Sequence, residues 1–298
     1  RPSRGTGTFT KGITDGDGGT DLAQLWSALN QDLRVPATTG DARTVYEDGL
    51  ADGVQHGATS ETVTGSFTVD GNNESYTLTL NATTISSVGD TVTTAKGVLT
   101  ITSISAPDPG GVVTYGYSYT LSAPLTHTGQ GEINPLTDTI AMAVTDATGD
   151  SDPSPASIVL SIVDDVPIAA DDADSVTEGL GNVADGNVFT GSGGTDANAT
   201  DGVADNIGAD GAAAGGAVTR GYFGVEADAG TATFTAISGA TVIAGTYGDL
   251  TLNPNGTYSY ALKTASIPTS VGSETFTYEI TDGDGDTDLA QLVIALNQ

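Results

Sequence analysis

The sequence predicts an all-β fold made of tandem antiparallel β-sandwich domains, and two observations carry that prediction. Short runs that alternate apolar and polar residues recur along the chain, and clusters of Gly, Pro and Asn separate them. Such a pattern is typical of strands joined by tight turns, with no long helical period between them. An acidic motif also recurs, from Thr14 to Thr145 to Thr281, at offsets of 131 and 136 residues. An interval of that length is the size of a small domain.

The acidic motif is clearest at Thr281–Asp288, where a carboxylate stands at every second position. Alternating apolar runs at Thr275–Ile280 and Leu289–Ile294 flank it, so it is predicted to be a turn between two strands. Carboxylates crowded into one turn favour a hard divalent cation with oxygen ligands, and Ca²⁺ fits best. A near-verbatim copy lies at Thr14–Leu25 and a looser one at Thr145–Asp152. The predicted ligands in the three copies are Asp15, Asp17 and Asp21; Asp146, Asp150 and Asp152; and Asp282, Asp284, Asp286 and Asp288.

An EF-hand is the first alternative for this motif, and the sequence excludes it. The first three acids of the last copy fit an EF-hand, but Thr287 stands where Gly is needed and Val293 where Glu is needed. A Ca²⁺ loop between strands therefore remains. The looser copy has Ala147 and Thr148 in place of Gly and Asp, and we expect it to bind the ion weakly or not at all.

The composition is strongly acidic, with 298 residues, a net charge of −30, and 38 Asp and Glu against 8 Lys and Arg. Nucleic acid and anionic membrane surfaces need a basic face, so neither is an expected partner, and no apolar run predicts membrane insertion. The absence of Cys excludes disulfides and thiol metal sites, and it fits a protein exported unfolded. A solvated acidic surface of the halophile kind is the alternative to metal binding, but the acids concentrate in turns.

The repeat of the motif divides the chain into three predicted segments. Residues 1–36 are predicted to be the C-terminal strands of a truncated preceding repeat plus a linker, and residues 37–165 and 166–298 are predicted to be two β-sandwich repeats. Leu22–Asn30 alone could be an amphipathic helix, but the corresponding Leu289–Leu296 is rich in β-branched residues and favours a strand. An isolated hairpin is marginal in water, so the stub should pack on its neighbour, pair with another chain or stay mobile.

Two predicted linkers share a Val-Pro pair, Val35-Pro36 and Val166-Pro167, which keeps the chain extended. Acids lie before and after the pair in both linkers, so a cation held there would stiffen the joint between domains. A plain solvated hinge is the alternative. In the first linker, residues 32–48, the flanking acids are Asp32, Asp41 and Glu47.

Strand-like alternation continues through both repeats. In the first, strands are predicted at Ser75–Leu80, Gly97–Ile101, Tyr115–Leu121 and Thr139–Val144. In the second, Asp249–Leu252 and Tyr258–Leu262 are predicted to be strands on either side of the turn Asn253–Gly256.

The segment Gly191–Gly216 differs from its surroundings because it contains almost no bulky apolar residue. It could be a disordered loop of low complexity. Acids recur in it at short spacing, so a second cation loop is equally open. Its candidate ligands are Asp201, Asp205 and Asp210.

Catalysis finds little support in the sequence. The two histidines, His56 and His127, lie in polar, turn-like stretches and are predicted to be solvated. A cysteine nucleophile is impossible, and the chain has no Gly-x-Ser-x-Gly elbow in a strand-to-helix context and no phosphate-binding loop with Lys. We do not expect an enzyme.

Several segments resemble the Bap-like, cadherin-like repeats of repeats-in-toxin (RTX) adhesins, which Gram-negative bacteria export by type I secretion. The similar segments are Asp164–Asp172 with Val176–Gly179, Ile207–Gly211, Gly248–Tyr258 and Phe276–Asp286. The resemblance covers residues 164–298 well, 49–163 moderately and 1–48 at the acidic turn alone.

The resemblance implies tandem Ig-like/cadherin-like β-sandwich extender modules, stiffened by Ca²⁺, in a protein secreted to the bacterial cell surface. Such modules hold a ligand-binding tip away from the cell for adhesion or biofilm formation. The joint ligands implied by the resemblance are Asp164, Asp165, Asp171, Asp172 and Glu178.

The expected partners are neighbouring repeats of the same polypeptide or like chains, and a glycan, host or biofilm surface reached through other domains. Two alternatives stay open. One is a binding module that presents a sugar or peptide site on the loop Gly191–Gly216. The other is a self-assembling extracellular filament, in which residues 1–31 complete the sandwich of a neighbouring chain.

Overall fold

The computed structural model describes residues 35–55, 57–195 and 202–298, and these residues form an all-β structure. The predicted all-β fold class is confirmed. The predicted ligands Asp15, Asp17, Asp21 and Asp32 lie outside the described residues, together with the stub that contains them. The same holds for Asp201 and for His56.

The first sandwich is built from two five-stranded sheets. Its strands are β1 (Ala37–Thr39), β2 (Asp41–Tyr46), β3 (Thr62–Asp70), β4 (Tyr76–Leu80), β5 (Thr83–Ile85), β6 (Thr91–Thr93), β7 (Gly97–Ile104), β8 (Val112–Leu121), β9 (Leu136–Asp146) and β10 (Ser157–Val163). One sheet has the order β1-β3-β8-β7-β6 and the other β2-β10-β9-β4-β5. A single-turn 3₁₀ helix, Glu47–Gly49, follows β2.

The second sandwich pairs a five-stranded sheet with a four-stranded sheet. Its strands are β11 (Asp172–Thr177), β12 (Val183–Asn187), β13 (Val218–Phe223), β14 (Thr235–Ala236), β15 (Thr241–Ala244), β16 (Gly248–Leu252), β17 (Thr257–Leu262), β18 (Ser273–Thr281) and β19 (Thr287–Asn297). The sheet orders are β11-β19-β18-β13-β14 and β12-β17-β16-β15. A second 3₁₀ turn, Glu226–Asp228, follows β13.

Each sandwich encloses its own hydrophobic core. In β8, the alternate residues Tyr115, Tyr117 and Tyr119 face the core of the first sandwich, and in β17 Tyr258 and Tyr260 face that of the second. Because side chains along a strand point alternately to opposite faces, the period-two pattern of the sequence sends every second residue inward. The two cores share no residue, so each sandwich is stabilised by its own set of buried side chains.

One strand pair in each sandwich departs from the antiparallel arrangement that the sequence predicts. β2 runs parallel to β10, and β11 runs parallel to β19, while the other pairs are antiparallel. Parallel partners end at the same edge of a sheet. Since Tyr46 is paired with Val163, the residues that follow them, Glu47 and Asp164, emerge at the same end of the first sandwich.

Candidate metal centre

A cluster of acidic side chains lies where the two sandwiches meet, and both sandwiches contribute to it. The first contributes Glu47 after β2 and Asp164 after β10. The second contributes Asp210 and the turn Asp282–Asp286 between β18 and β19. Asp282 lies 235 residues after Glu47 and 118 residues after Asp164 in the sequence, and the strand ends bring the three into one cluster.

The acidic turn itself is closed by its own backbone. The Asp282 N–H donates to the carbonyl of Asp286 over 3.0 Å, and Asp282 Oδ1 accepts the N–H groups of Gly285 and Asp286 over 2.9 and 2.7 Å. Gly283 is required by a close approach, because a Cβ atom there would lie 2.5 Å from the carbonyl oxygen of Asp210. The turn therefore brings Asp210 against the carboxylates that follow Asp282.

Three overlapping sets of side chains in this cluster each place their potential ligand atoms within 4.8 Å of one another. The sets are Glu47, His127 and Asp164; Asp164, Asp210 and Asp284; and Asp282, Asp284 and Asp286. Asp164 belongs to the first two sets and Asp284 to the last two. A carboxylate has two oxygens, so these two residues can each serve two neighbouring cation positions.

Many oxygens of the cluster are buried and have no hydrogen-bond partner among the described residues. They are Glu47 Oε2, both carboxylate oxygens of Asp164, Asp165 Oδ1, Asp210 Oδ2, Asp282 Oδ2, Asp284 Oδ1 and Asp286 Oδ2. Asp164 is 2% exposed and Asp282 is 1% exposed. A buried carboxylate without a partner is costly, and a bound cation with oxygen ligands removes that cost. The donor set fits Ca²⁺.

Burial and mutual repulsion make these acids hard to ionise in the protein without cations. Burial, together with the negative charges of Asp210 and Asp284, raises the pKa of Glu47 to about 8. Burial also raises the pKa of Asp164 to about 8 and the pKa of Asp282 to about 7. A divalent cation would reverse this balance, because it favours the charged form of each carboxylate.

Hydrogen bonds cross between the sandwiches at the same place. In the loop after β8, the His127 N–H donates to Asp284 Oδ2 over 2.9 Å and the Gly131 N–H donates to Asp286 Oδ1 over 2.6 Å. Asp165, in the linker, accepts the N–H of Val54 from the first sandwich. The same oxygen, Oδ2, accepts the N–H of Ala209 from the second sandwich. The acidic cluster is thus part of the contact that docks one sandwich on the other.

The structure corrects the prediction that His127 is solvated. Its side chain is buried, with 4% of the residue exposed, and it faces Glu47 and Asp164. His127 is buried by residues that are distant in the sequence, so the polar residues next to it did not predict its burial. The sequence feature that could have drawn attention to His127 is that histidine is rare in this chain, with two in all.

Several predicted ligands from the linker and from Gly191–Gly216 form a second cluster inside the second sandwich. Asp172 accepts the Val203 N–H and the Tyr278 hydroxyl, and Asp205 accepts the Ala170 N–H. Burial raises the pKa of both carboxyls to about 7. These acids tie the linker to the sandwich through protein donors and are not part of the three ligand sets.

Two further linker contacts belong with this second cluster. Asp288 Oδ2 accepts the Ala169 N–H over 2.8 Å, and Asp171 Oδ1 accepts the Gln291 N–H over 2.9 Å. Both carboxylates therefore hold the linker to the start of β19. The structure brings neither of them into the ligand sets at the joint.

Two glutamates lie in places that the sequence did not predict. Glu47, expected at the first linker, follows the parallel strand β2 and so lies at the joint beside Asp164. Glu178, expected at that joint, follows β11, whose last residue Thr177 pairs with Asn297 at the far end of β19. In both cases a strand of the parallel pair, β2 or β11, carries the chain from one end of its sandwich to the other.

The remaining predicted ligands lie on the first sandwich, away from this joint. Asp146 accepts backbone N–H groups of its own turn, at Thr148 and Asp150, and Asp152 accepts the N–H and hydroxyl of Thr38. Asp41, in β2, accepts hydrogen bonds from protein donors as well, the Ser66 N–H and the Tyr117 hydroxyl among them. The described residues that donate to Asp41 all belong to the first sandwich.

Comparison with protein families gives one match, to the second sandwich. Residues 203–295 match the model of the bacterial Ig domain family. The second sandwich is an Ig-like domain. Domains of this family are typically extracellular or surface-exposed structural or adhesion modules. Within the described residues, no helix is long and apolar enough to cross a membrane.

Solved structures with cadherin and Ig domains in tandem are similar to this chain. Zebrafish RET cadherin-like domains 1 to 4 share 12% identity over 88% of this chain and 51% of that one, with a TM-score of 0.27. Human CDH23 EC21–23 shares 12% identity over 88% of this chain and 69% of that one, also at 0.27. The Ig1-2 module of the Drosophila receptor protein tyrosine phosphatase DLAR shares 10% identity over 89% of this chain and 97% of that one, with a TM-score of 0.22.

The chain spans about half the length of the RET structure. No curated protein matches the sequence.

Proposed function

We propose that this protein is a calcium-rigidified extender segment of a secreted bacterial surface adhesin, which projects a ligand-binding tip for cell adhesion or biofilm formation. The observation that carries the proposal is the joint between the sandwiches. Buried oxygens that have no hydrogen-bond partner within residues 35–55, 57–195 and 202–298 come from both sandwiches and converge there. The match of residues 203–295 to the bacterial Ig domain supports the extracellular, structural part of the proposal.

Calcium would act by linking groups that otherwise repel one another. Asp164 belongs to the first sandwich, while Asp210, Asp282, Asp284 and Asp286 belong to the second. Without a cation, the negative charges on the two sides oppose docking. With Ca²⁺ held between them, bending at the joint would separate an ion from its ligands. Rigidity would therefore depend on the ion, and extracellular modules bind Ca²⁺ at roughly 10⁻⁴–10⁻³ M.

The proposal is tested by small-angle scattering and thermal unfolding of the full chain in Ca²⁺ and in EDTA. Ca²⁺ should raise the Tm and narrow the distribution of angles between the sandwiches, because it binds the docked state. At about one hundred times the Kd, the expected stabilisation is about 2.7 kcal/mol. Mg²⁺ is the control, since it demands a smaller octahedral site and should stiffen the joint less. Scattering profiles and Tm values that are the same in Ca²⁺ and EDTA would refute the proposal.

The glycan- or peptide-binding alternative gains no support from the segment Gly191–Gly216. Its two described candidate ligands are engaged internally, Asp205 with Ala170 and Tyr278, and Asp210 with the joint cluster. A filament would depend on residues 1–31, which lie outside the described residues. The extender is therefore the function that we put forward, with neighbouring repeats as its expected partners.

A further inference from the structure

His127 introduces a nitrogen into a joint that is otherwise made of oxygens. Its ring Nε2 lies 3.4 Å from Glu47 Oε1, and its Nδ1 lies 3.4 Å from the Asn134 carbonyl and 4.0 Å from Asp164 Oδ2. All three acid and imidazole side chains are buried. Ca²⁺ takes oxygen ligands, so calcium binding gives no reason for an imidazole at this position.

Ordinary hydrogen bonding leaves this group incompletely satisfied. The 3.4 Å contact between His127 and Glu47 is longer than the usual 2.7–3.2 Å range of such bonds. Glu47 Oε2 and both oxygens of Asp164 are buried and have no hydrogen-bond partner in the described part of the chain. Three ligand atoms, one from each residue, lie within 4.8 Å of one another. A group with free oxygens and an imidazole at this spacing suits a metal ion better than it suits a closed hydrogen-bond network.

We propose that Glu47, His127 and Asp164 form a binding site for a d-block divalent cation, for which Zn²⁺ is the probe, beside the all-oxygen Ca²⁺ positions. Imidazole nitrogen and carboxylate oxygen are ligands that Zn²⁺ accepts in a tetrahedral arrangement. With bonds of about 2.0–2.1 Å, neighbouring ligands of a tetrahedral ion lie about 3.4 Å apart. The distance between His127 Nε2 and Glu47 Oε1 is 3.4 Å.

Hydrogen bonds to other residues hold two of these side chains in place. When the His127 Nδ1–H donates to the Asn134 carbonyl, the lone pair of Nε2 points toward Glu47. Metal-bound histidines commonly donate their other ring N–H to such a carbonyl. The Leu125 N–H donates to Glu47 Oε1 over 3.0 Å and orients that carboxylate. Two carboxylates and a neutral imidazole carry a charge that one divalent ion cancels.

Asp164 connects this site to the calcium positions. It belongs both to the set with Glu47 and His127 and to the set with Asp210 and Asp284, and no described residue donates a hydrogen bond to either of its oxygens. One oxygen is thus available to each ion. The nitrogen-containing site does not require Ca²⁺ in the neighbouring set, so the inference stands separately from the proposed function.

The test uses the full chain in saturating millimolar Ca²⁺ and titrates Zn²⁺ by calorimetry. One Zn²⁺ should bind per chain without displacing Ca²⁺. His127→Gln should lower the Zn²⁺ affinity by at least about tenfold, because even the loss of a ligand's hydrogen-bond partner costs about 10- to 100-fold, and it should leave the Ca²⁺ response unchanged. The chain has no Cys and two His, so His56→Gln is the matched control and should keep the wild-type Zn²⁺ affinity.

A second measurement does not depend on how the variants fold. In the wild-type protein, ¹⁵N spectra of the two imidazoles should show a shift of His127 Nε2 on adding Zn²⁺, and not on adding Ca²⁺. The inference is overturned if Zn²⁺ fails to bind in Ca²⁺, if it merely replaces Ca²⁺ with the His127 signals unchanged, or if both histidine variants lose affinity equally. Stiffening by Ca²⁺ in the same samples reports on the proposed function independently.

Discussion

Two turns of this protein, Thr145–Asp152 and Thr281–Asp288, share a backbone plan but differ in what their acids contact. In each turn the first Asp donates its N–H to the carbonyl four residues later, Asp150 over 2.9 Å and Asp286 over 3.0 Å. In each turn the Oδ1 of that Asp accepts backbone N–H groups from within the turn. The two turns therefore fold in the same way, and their difference lies in the side chains.

The turn at Asp146 satisfies its leading carboxylate with its own donors. Thr148 donates both its N–H and its hydroxyl to Asp146 Oδ1, and Asp150 donates its N–H. Burial raises the pKa of Asp146, but hydrogen bonds from Thr148, Asp150 and Gly149 outweigh burial and leave that pKa below its ordinary value. The charged form of Asp146 is thus stable without a cation.

The turn at Asp282 has a carboxylate, Asp284, at the position that corresponds to Thr148. The hydroxyl donor is lost and a negative charge is gained. The pKa of Asp282 is raised to about 7, with burial as the largest cause and the nearby Asp284 as a further cause of this rise. Burial of Asp282 at the joint is therefore the first difference between the two turns, and the replacement of a hydroxyl by a carboxylate is the second.

The effect of an asparagine substitution should depend on Ca²⁺ in the turn at Asp282 and should not depend on it in the turn at Asp146. Asp282→Asn keeps the Oδ1 acceptor and removes the charge, so in saturating Ca²⁺ it should remove most of the calcium-dependent stabilisation, about 2–3 kcal/mol at a hundredfold excess over the Kd. In EDTA the same variant should be neutral or stabilising, because it removes a buried charge without a partner. Differential scanning calorimetry in the two conditions measures both effects.

Asp146→Asn is the matched control for that experiment. It also keeps Oδ1. It should destabilise the protein less than Asp282→Asn does in Ca²⁺, and by about the same amount in Ca²⁺ and in EDTA, because charge-assisted hydrogen bonds are lost in both conditions. If the two variants respond to Ca²⁺ alike, the contrast between the turns is wrong.

In EDTA, the stability of the protein should depend on pH through the titration of the buried acids at the joint. Glu47 has a pKa of about 8 in the folded protein against an ordinary value of 4.5, so the folded state holds its proton more tightly than the unfolded state does. The resulting stability is fully present below about pH 4.5 and is lost as the pH rises toward 8. Between pH 5 and 7, Glu47→Gln should reduce the loss in the free energy of unfolding by about 1–2 kcal/mol, as measured by thermal unfolding.

Saturating Ca²⁺ provides the control for the pH experiment. The ion favours deprotonated carboxylates, so the decline in Tm with rising pH should flatten or reverse when Ca²⁺ is present. A decline of equal slope in EDTA for the wild type and for Glu47→Gln would show that Glu47 does not titrate in this way.

Local sequence patterns were enough to predict the strands and the acidic turn, but not the composition of the joint. Asp282, Asp284 and Asp286 stand in one short motif, and the alternation around them is a property of neighbouring residues. Glu47 and His127 reach the joint through tertiary structure. A parallel strand carries Glu47 the length of a sheet, and a loop after β8 brings in His127. Neither effect leaves a periodic signal in a single sequence.

The smallest expected effect concerns the loop that lies against the acidic turn. Gln130 Nε2 donates to the Gly285 carbonyl over 3.1 Å, and this exposed contact joins the first sandwich to the second. Gln130→Ala should cost about 0.5 kcal/mol, at the low end for a hydrogen bond, because water can replace the lost donor. The change should appear as a broader distance distribution between dyes placed on the two sandwiches, in Ca²⁺.

Gln55→Ala is the control, since the Gln55 side chain donates to Asp48 within the first sandwich. If both variants broaden the distribution equally, the contact between Gln130 and Gly285 does not contribute to the docking of the two sandwiches. The difference between the turns at Asp146 and Asp282 then depends on their carboxylates alone.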